Sequence, residues 1–165
     1  GNDGARGTGN VLANAAVALV AVLGFAVVEG EGALATAFLF AFSGSLATAL
    51  GDTLSSEIGG LFDNPRLITT LERVDPGTDG AVTWQGELAG LTGAGLTGLL
   101  SMLVLPLGGL WLAAAIVACG GVVGMTVDSL LGATIEGGRL GNQWVNFLAT
   151  LSGGLTSTSL AVWLL

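Results

Sequence analysis

The chain has 165 residues, of which 52% are hydrophobic and 10% charged, with a mean hydropathy of +0.81. A soluble domain would carry about a quarter charged residues, so that class is excluded. The net charge is −8 with no Lys and no His, which excludes a nucleic-acid partner, because phosphate backbones are bound by clustered positive charge.

Cys119 is the one cysteine, so a disulfide framework and a Cys-based metal site are excluded as well. Any metal must then be a hard, oxygen-liganded ion such as Mg²⁺.

A bilayer core of about 30 Å takes about 20 apolar residues as helix. Gly7 to Val28 is uncharged and predicts the first span. The turn "EGEG", with Glu29 and Glu31, leads to a second uncharged run, Gly32 to Gly51. Next comes "GDTLSSEIG", in which Asp52, Ser55 and Ser56 share one helical face and Glu57 is rotated off it.

Arg66 to Glu87 is the one long polar stretch. "LITTLERV" and "AVTW" flank the turn "DPGTDG", which predicts a small hairpin or ordered loop. Gly77 and Gly80 allow backbone N–H groups to approach an anion, and Arg66 and Arg73 suit bidentate phosphate contact. Leu88 to Val127 is uncharged but too long for one span. It breaks at "LPLGG" (Pro106, Gly108, Gly109), giving spans at 88–105 and 107–127. Asp128 and Ser129 follow, and Leu140 to Leu165 supplies a fifth span.

Backbone in lipid must satisfy its own hydrogen bonds, so these spans are helices. The expected fold is all-α: a polytopic membrane protein of about five transmembrane helices, with a polar cytoplasmic loop or small hairpin near 60–87. Residues 1–165 read as a single integral-membrane domain. The initial Gly in place of Met suggests a fragment lacking upstream transmembrane segments.

Counting crossings puts the N-terminal end, the 52–87 segment and the 128–142 segment on one side. That side holds all four Arg (Arg6, Arg66, Arg73, Arg139), and the positive-inside rule makes it cytoplasmic in a multi-pass cell-membrane protein. "AGLTGAGLTG" and "GGVVG" place Gly at helical spacing, which lets membrane helices pack closely; association of copies through these helices is a further expectation. "GNVLAN" also echoes "GNQWVN", and "DTLSSEIGG" echoes "DSLLGATIEGG", a pattern of internal repeats with a site at their interface.

Carboxylates at membrane depth are functional suspects, and Asp52 and Asp128 lie in one membrane plane. Converging carboxylates repel unless a cation lies between them, and Mg²⁺ is usually held by one or two of them plus substrate phosphates. The alternative is that both merely cap helix ends. Asn10 and Asn14 share a helix face, as do Asn142 and Asn146. Asn coordinates metals, donates to phosphate oxygens, or simply bonds a neighbouring helix.

The blocks "VLANAAVA", "GDTLSSEIG", "NPRLITTLERVDPGTDGAVTWQGELAG", "VDSLLGATIEG" and "NQWVNFLAT" together resemble the integral-membrane family called domain of unknown function 92. That family includes transmembrane protein 19 and the plant phytyl-phosphate kinases. Ala81 and Asn10 stand where it commonly shows Gly and Gln. The resemblance implies a kinase acting on an isoprenoid phosphate, with a nucleoside triphosphate such as CTP as donor. The matching polar positions are Asp52, Ser56, Glu57, Pro65, Gly77, Thr78, Gly80, Asp128 and Asn146.

In the implied arrangement Asp52, Glu57 and Asp128 hold Mg²⁺, and Arg66 or Arg73 neutralises phosphate. The Gly77–Gly80 turn with Thr78 contacts nucleotide, and Ser56, Asn142 and Asn146 join the substrate site. The lipid tail lies between the Gly-rich helices. A transporter or ion-conducting protein, and a non-catalytic membrane scaffold, remain the alternatives from other classes.

Overall fold

The protein is seen in a computed structural model that describes residues 8–30, 32–108, 111–135 and 141–165. Arg6, Glu31, Gly109 and Arg139, used above for turns and sidedness, lie outside the described residues. Among the described residues five helices follow in chain order: α1 (Thr8–Val27), α2 (Gly32–Gly59), α3 (Trp84–Val104), α4 (Trp111–Ile135) and α5 (Asn142–Leu164). All five are long and apolar enough to cross a membrane, which is the polytopic all-α fold expected from the sequence.

Between α2 and α3 the chain makes a short antiparallel hairpin of β1 (Arg66–Leu67) and β2 (Ala81–Val82), with Arg66 opposite Val82 and Leu67 opposite Ala81. Arg73 forms one further bridge to Arg66.

Two boundaries differ from the expected ones. α2 does not stop at Gly51 but runs on through "GDTLSSEIG" to Gly59. Its 28 residues span about 42 Å, well beyond a hydrocarbon core of about 30 Å. α4 likewise runs past Asp128 to Ile135 and begins only at Trp111. Charge ends an apolar run but not a helix. Asp52, Ser55 and Ser56 of α2 and Asp128 and Ser129 of α4 line a cavity while the helix backbone keeps its bonds, so it has no reason to break. Gly108, with φ at +89°, takes the left-handed turn that precedes α4.

The four tryptophans mark two planes. Trp84 and Trp144 sit at the starts of α3 and α5. Trp111 and Trp163 sit at the opposite end, and all four are exposed. Trp144 and Trp163 lie 19 positions apart on α5, about 28 Å, which matches the depth between two aromatic belts.

α2 packs against all four other helices, so it is the hub of the bundle. The core is built of small residues: Ala47, Ala94 and Ala113 are fully buried alongside Phe40 and Val117. α2, α4 and α5 meet where Gly44, Gly120 and Gly153 let their backbones touch. A Cβ at Gly153 would sit 2.9 Å from the Gly120 carbonyl oxygen and 3.0 Å from that of Gly44. Two hydroxyls add bonds between helices: Thr158 Oγ1 donates to the Ala37 carbonyl at 3.1 Å and Ser157 Oγ to that of Ile116 at 3.4 Å.

These seams overturn one expectation. A Cβ at Gly121 would come within 2.8 Å of Ala47 Cβ and 2.9 Å of Ala94 Cβ. No lipid tail fits between α2, α3 and α4 at Gly121, because the helices close on one another there.

Candidate functional site

Helix direction alone brings five ends to one face: the starts of α1, α3 and α5 and the ends of α2 and α4. The positive dipole ends of three helices and the negative ends of two therefore meet in a small volume. The hairpin folds over them. Thr83 links the layers, accepting from Gly86 N at 3.2 Å as the N-cap of α3 and donating to the Gly59 carbonyl at 3.4 Å.

Under the hairpin lies a cavity of about 1120 Å³. Asp52, Ser55 and Ser56 of α2 line it, together with Asp128 and Ser129 of α4, so the two carboxylates do face one space. Asp52 and Asp128 are both half-buried, and Oδ1 of Asp128 is shielded from solvent. Asn10 and Asn14 of α1 line the cavity with Asn142 and Asn146 of α5. Asn146 is buried and its Nδ2 donates to Asn142 Oδ1 at 3.0 Å. The echoed "GNVLAN" and "GNQWVN" segments thus contribute side by side to one wall.

The hairpin contributes Gly77, Thr78 and Gly80, and Pro65 stands at its base. Thr78 Oγ1 donates to the Asp75 carbonyl at 2.7 Å, and Ala81 N donates to the Thr78 carbonyl at 3.0 Å, which fixes the turn. The two glycines differ in role. Both have positive φ, but nothing lies within 4 Å of a Cβ built on Gly77, which leaves its backbone open to the cavity. A Cβ on Gly80 would come within 2.5 Å of the Ser129 carbonyl oxygen, so Gly80 docks the hairpin onto α4. Gly80→Ala is expected to destabilise by about 2–4 kcal/mol, combining left-handed strain with a backbone clash, whereas Gly77→Ala costs about 1 kcal/mol. Thermal unfolding of the two variants, with limited proteolysis at 66–82, checks the difference.

Three expected site residues stand elsewhere. Glu57 is exposed and does not line the cavity, because it follows Ser56 by about 100° round the helix. Among the described residues no three acidic side chains are grouped to hold one ion, so Asp52, Glu57 and Asp128 do not form a trio. Arg66 and Arg73 are exposed on the hairpin, outside the cavity lining. Arg66 Nη1 donates to the Leu71 carbonyl at 2.6 Å, fixing a residue whose φ is +59°.

The sequence reading passed over two carboxylates: Asp79, which lines the cavity from the hairpin turn, and Glu87, which stands outside the lining. Glu87 is half-buried in the first turn of α3 and within electrostatic reach of Asp52. It is the one carboxylate in the third span, and the rule that singled out Asp52 applies to it equally. Asp52 and Asp128, with amide carbonyls across the cavity, make an all-oxygen donor set. Two carboxylates completed by substrate phosphates fit Mg²⁺.

Five spanning helices with an acid- and amide-lined cavity at one end define a polytopic membrane protein with a polar cavity at one face. The chain belongs to the integral membrane protein family DUF92, which it matches over residues 1–154. It is 42% identical over 159 residues to the "Uncharacterized membrane protein MJ0933" of Methanocaldococcus jannaschii, covering 91% of this chain and 60% of that protein. It is 35% identical to "Protein PGR" of Arabidopsis thaliana, covering 81% of this chain and 53% of that one. A shorter match, 36% over 89 residues, links 53% of the chain to 27% of "Protein VTE6, chloroplastic" of Arabidopsis thaliana. The chain thus spans 60% or less of each of these relatives. No solved structure gives a significant match.

Proposed function

We propose that this chain forms the membrane core of a kinase that phosphorylates an isoprenoid monophosphate, such as phytyl phosphate, from a nucleoside triphosphate such as CTP. One observation carries the reading: a single cavity joins three carboxylates (Asp52 and Asp128 from the helices, Asp79 from the hairpin turn), four carboxamides, a glycine turn and an apolar groove at one end of the bundle. The resemblance to the plant phytyl-phosphate kinases supports it.

A terminal oxygen of the acceptor monophosphate forms a bond to the donor's γ-phosphorus. The bond from that phosphorus to the β–γ bridging oxygen breaks. A lipid diphosphate and a nucleoside diphosphate result. Such a reaction asks the protein for positioning and charge stabilisation more than for covalent chemistry. Mg²⁺, held by Asp52 and Asp128, would supply positive charge to the transferring group.

The asparagines supply N–H donors to the acceptor phosphate, beside the positive dipole ends of α1 and α5. Gly77 offers open backbone to the nucleotide, and the hairpin keeps water from the reacting groups. Arg66 and Arg73, on the outer surface of the hairpin, attract the anionic nucleotide before it enters. With the Arg-bearing face cytoplasmic, the site draws on cytosolic nucleotide. The closed Gly44–Gly120–Gly153 seam at the bundle centre disfavours a path through the membrane, and with it a transport reading.

The test uses the protein in nanodiscs with Mg²⁺, a nucleotide radiolabelled at its γ-phosphate, and phytyl or geranylgeranyl monophosphate. Label in the lipid diphosphate is the expected result. Flux of a solute into sealed liposomes with no nucleotide consumed would overturn it.

A further inference from the structure

The cavity does not end at its polar wall. It continues along α2 past Thr53 to Leu50, Ala49 and Leu46, flanked by Val11 and Ala15 of α1 and by Thr97 of α3. α1 and α3 both pack on α2, and α3 reaches it through Gly93, whose Cβ would lie 3.3 Å from Leu50 Cγ. Val11 is 58% exposed and Leu50 is 39% exposed, so the groove is open on its lipid side. Leu46 stands six residues before Asp52, about 9 Å deeper along the helix axis. Half of a hydrocarbon core of about 30 Å is about 15 Å, so the groove covers the upper part of one leaflet.

From this continuity of an open apolar groove with a polar cavity, we infer that the α1–α2–α3 groove holds the head-proximal stretch of a lipid phosphate's hydrocarbon chain. The lipid reaches the site sideways from the bilayer, and the distal chain stays among the surrounding lipids. Ala15 and Ala49 keep the groove open beside Leu46 and Leu50. The inference rests on the kinase reading for the identity of the head group.

Two photoreactive probes test it in nanodiscs: geranylgeranyl monophosphate with a diazirine on its first isoprene unit, and the same lipid with the diazirine on its last. The proximal probe is expected to label the 11–15 and 46–50 segments. Excess unlabelled geranylgeranyl monophosphate should lower that labelling about tenfold, and the distal probe should label these segments no more than other lipid-facing helix surfaces. Ala49→Phe fills the groove and is expected to cut proximal labelling about tenfold, equivalent to the cost of overpacking. Ala15→Phe, on the exposed face of α1, serves if Ala49→Phe fails to fold.

Proximal labelling spread evenly over all outward helix faces, without competition, overturns the inference. So does labelling of the two segments that neither Phe variant reduces. Turnover measured in the same discs separates the two readings. Competed labelling without phosphoryl transfer sinks the kinase and keeps the groove, while transfer with uniform labelling keeps the kinase and sinks the groove.

Discussion

Asp52→Asn and Asp128→Asn each lower lipid-phosphate turnover by at least about 100-fold, with the folded bundle retained. Asn keeps the size and the helix, and removes one negative charge from the cavity. The loss expected from deleting one such stabilising group is about 100- to 1000-fold. The half-buried setting matters: a charge partly removed from water interacts more strongly with an ion or phosphate than an exposed one does. Each variant also requires a higher Mg²⁺ concentration for half-maximal rate, because each removes one oxygen ligand's charge. Glu57→Gln is expected to cost less than about tenfold, since Glu57 lies outside the cavity lining. Steady-state kinetics at varied Mg²⁺ check all three, and an equal loss in all three would restore Glu57 to the site.

Gly153→Val abolishes the folded bundle. The added Cβ meets Thr48 Oγ1 and falls within about van der Waals contact of two backbone carbonyls, at Gly120 and Gly44. A side chain can turn aside, but two helix backbones cannot. α4 and α5 would have to separate from α2, removing the contacts that membrane helices rely on in place of a hydrophobic driving force. Overpacking alone costs about 1–3 kcal/mol, and splaying three helices costs more. Gly95→Ala is the matched control. Nothing lies within 4 Å of its Cβ, so it is expected to stabilise by up to about 1 kcal/mol through helix propensity. Yield of monodisperse protein in detergent, followed by thermal melting, distinguishes the two.

The spans were legible in the sequence because uncharged runs of membrane length have few other uses. Their ends were not. Asp52 and Asp128 read as edges of apolar segments, yet α2 and α4 carry them inside helices that continue to Gly59 and Ile135. A helix ends where its backbone loses partners, and a carboxylate facing a cavity removes none. The shared membrane face of Asp52 and Asp128 followed from counting crossings, since an even number of spans separates them; the cavity they both line did not.

What counting crossings could not reveal was rotation about each helix axis. That decides why Ser56 lines the cavity and its neighbour Glu57 does not. The hairpin was visible from its turn residues, but its strands are two residues each, shorter than the β-branched runs suggested. Most of the 68–80 segment is turn, held by bonds such as Ile68 N to the Gly80 carbonyl at 3.1 Å. The glycine-rich stretches announced close packing correctly in kind. Only three-dimensional contacts show that Gly121 and Gly153 fill the bundle and that the open groove lies elsewhere, beside Ala15 and Ala49.

The account depends on residues far apart in the chain meeting at one membrane face. Ser56→Cys and Ser129→Cys, each in a Cys119→Ser background, place a single thiol in the cavity from α2 or from α4. A membrane-impermeant maleimide is applied to sealed vesicles of known orientation. Both thiols are expected to react from the same side, the cytoplasmic one, and reaction of the two from opposite sides would contradict the shared site.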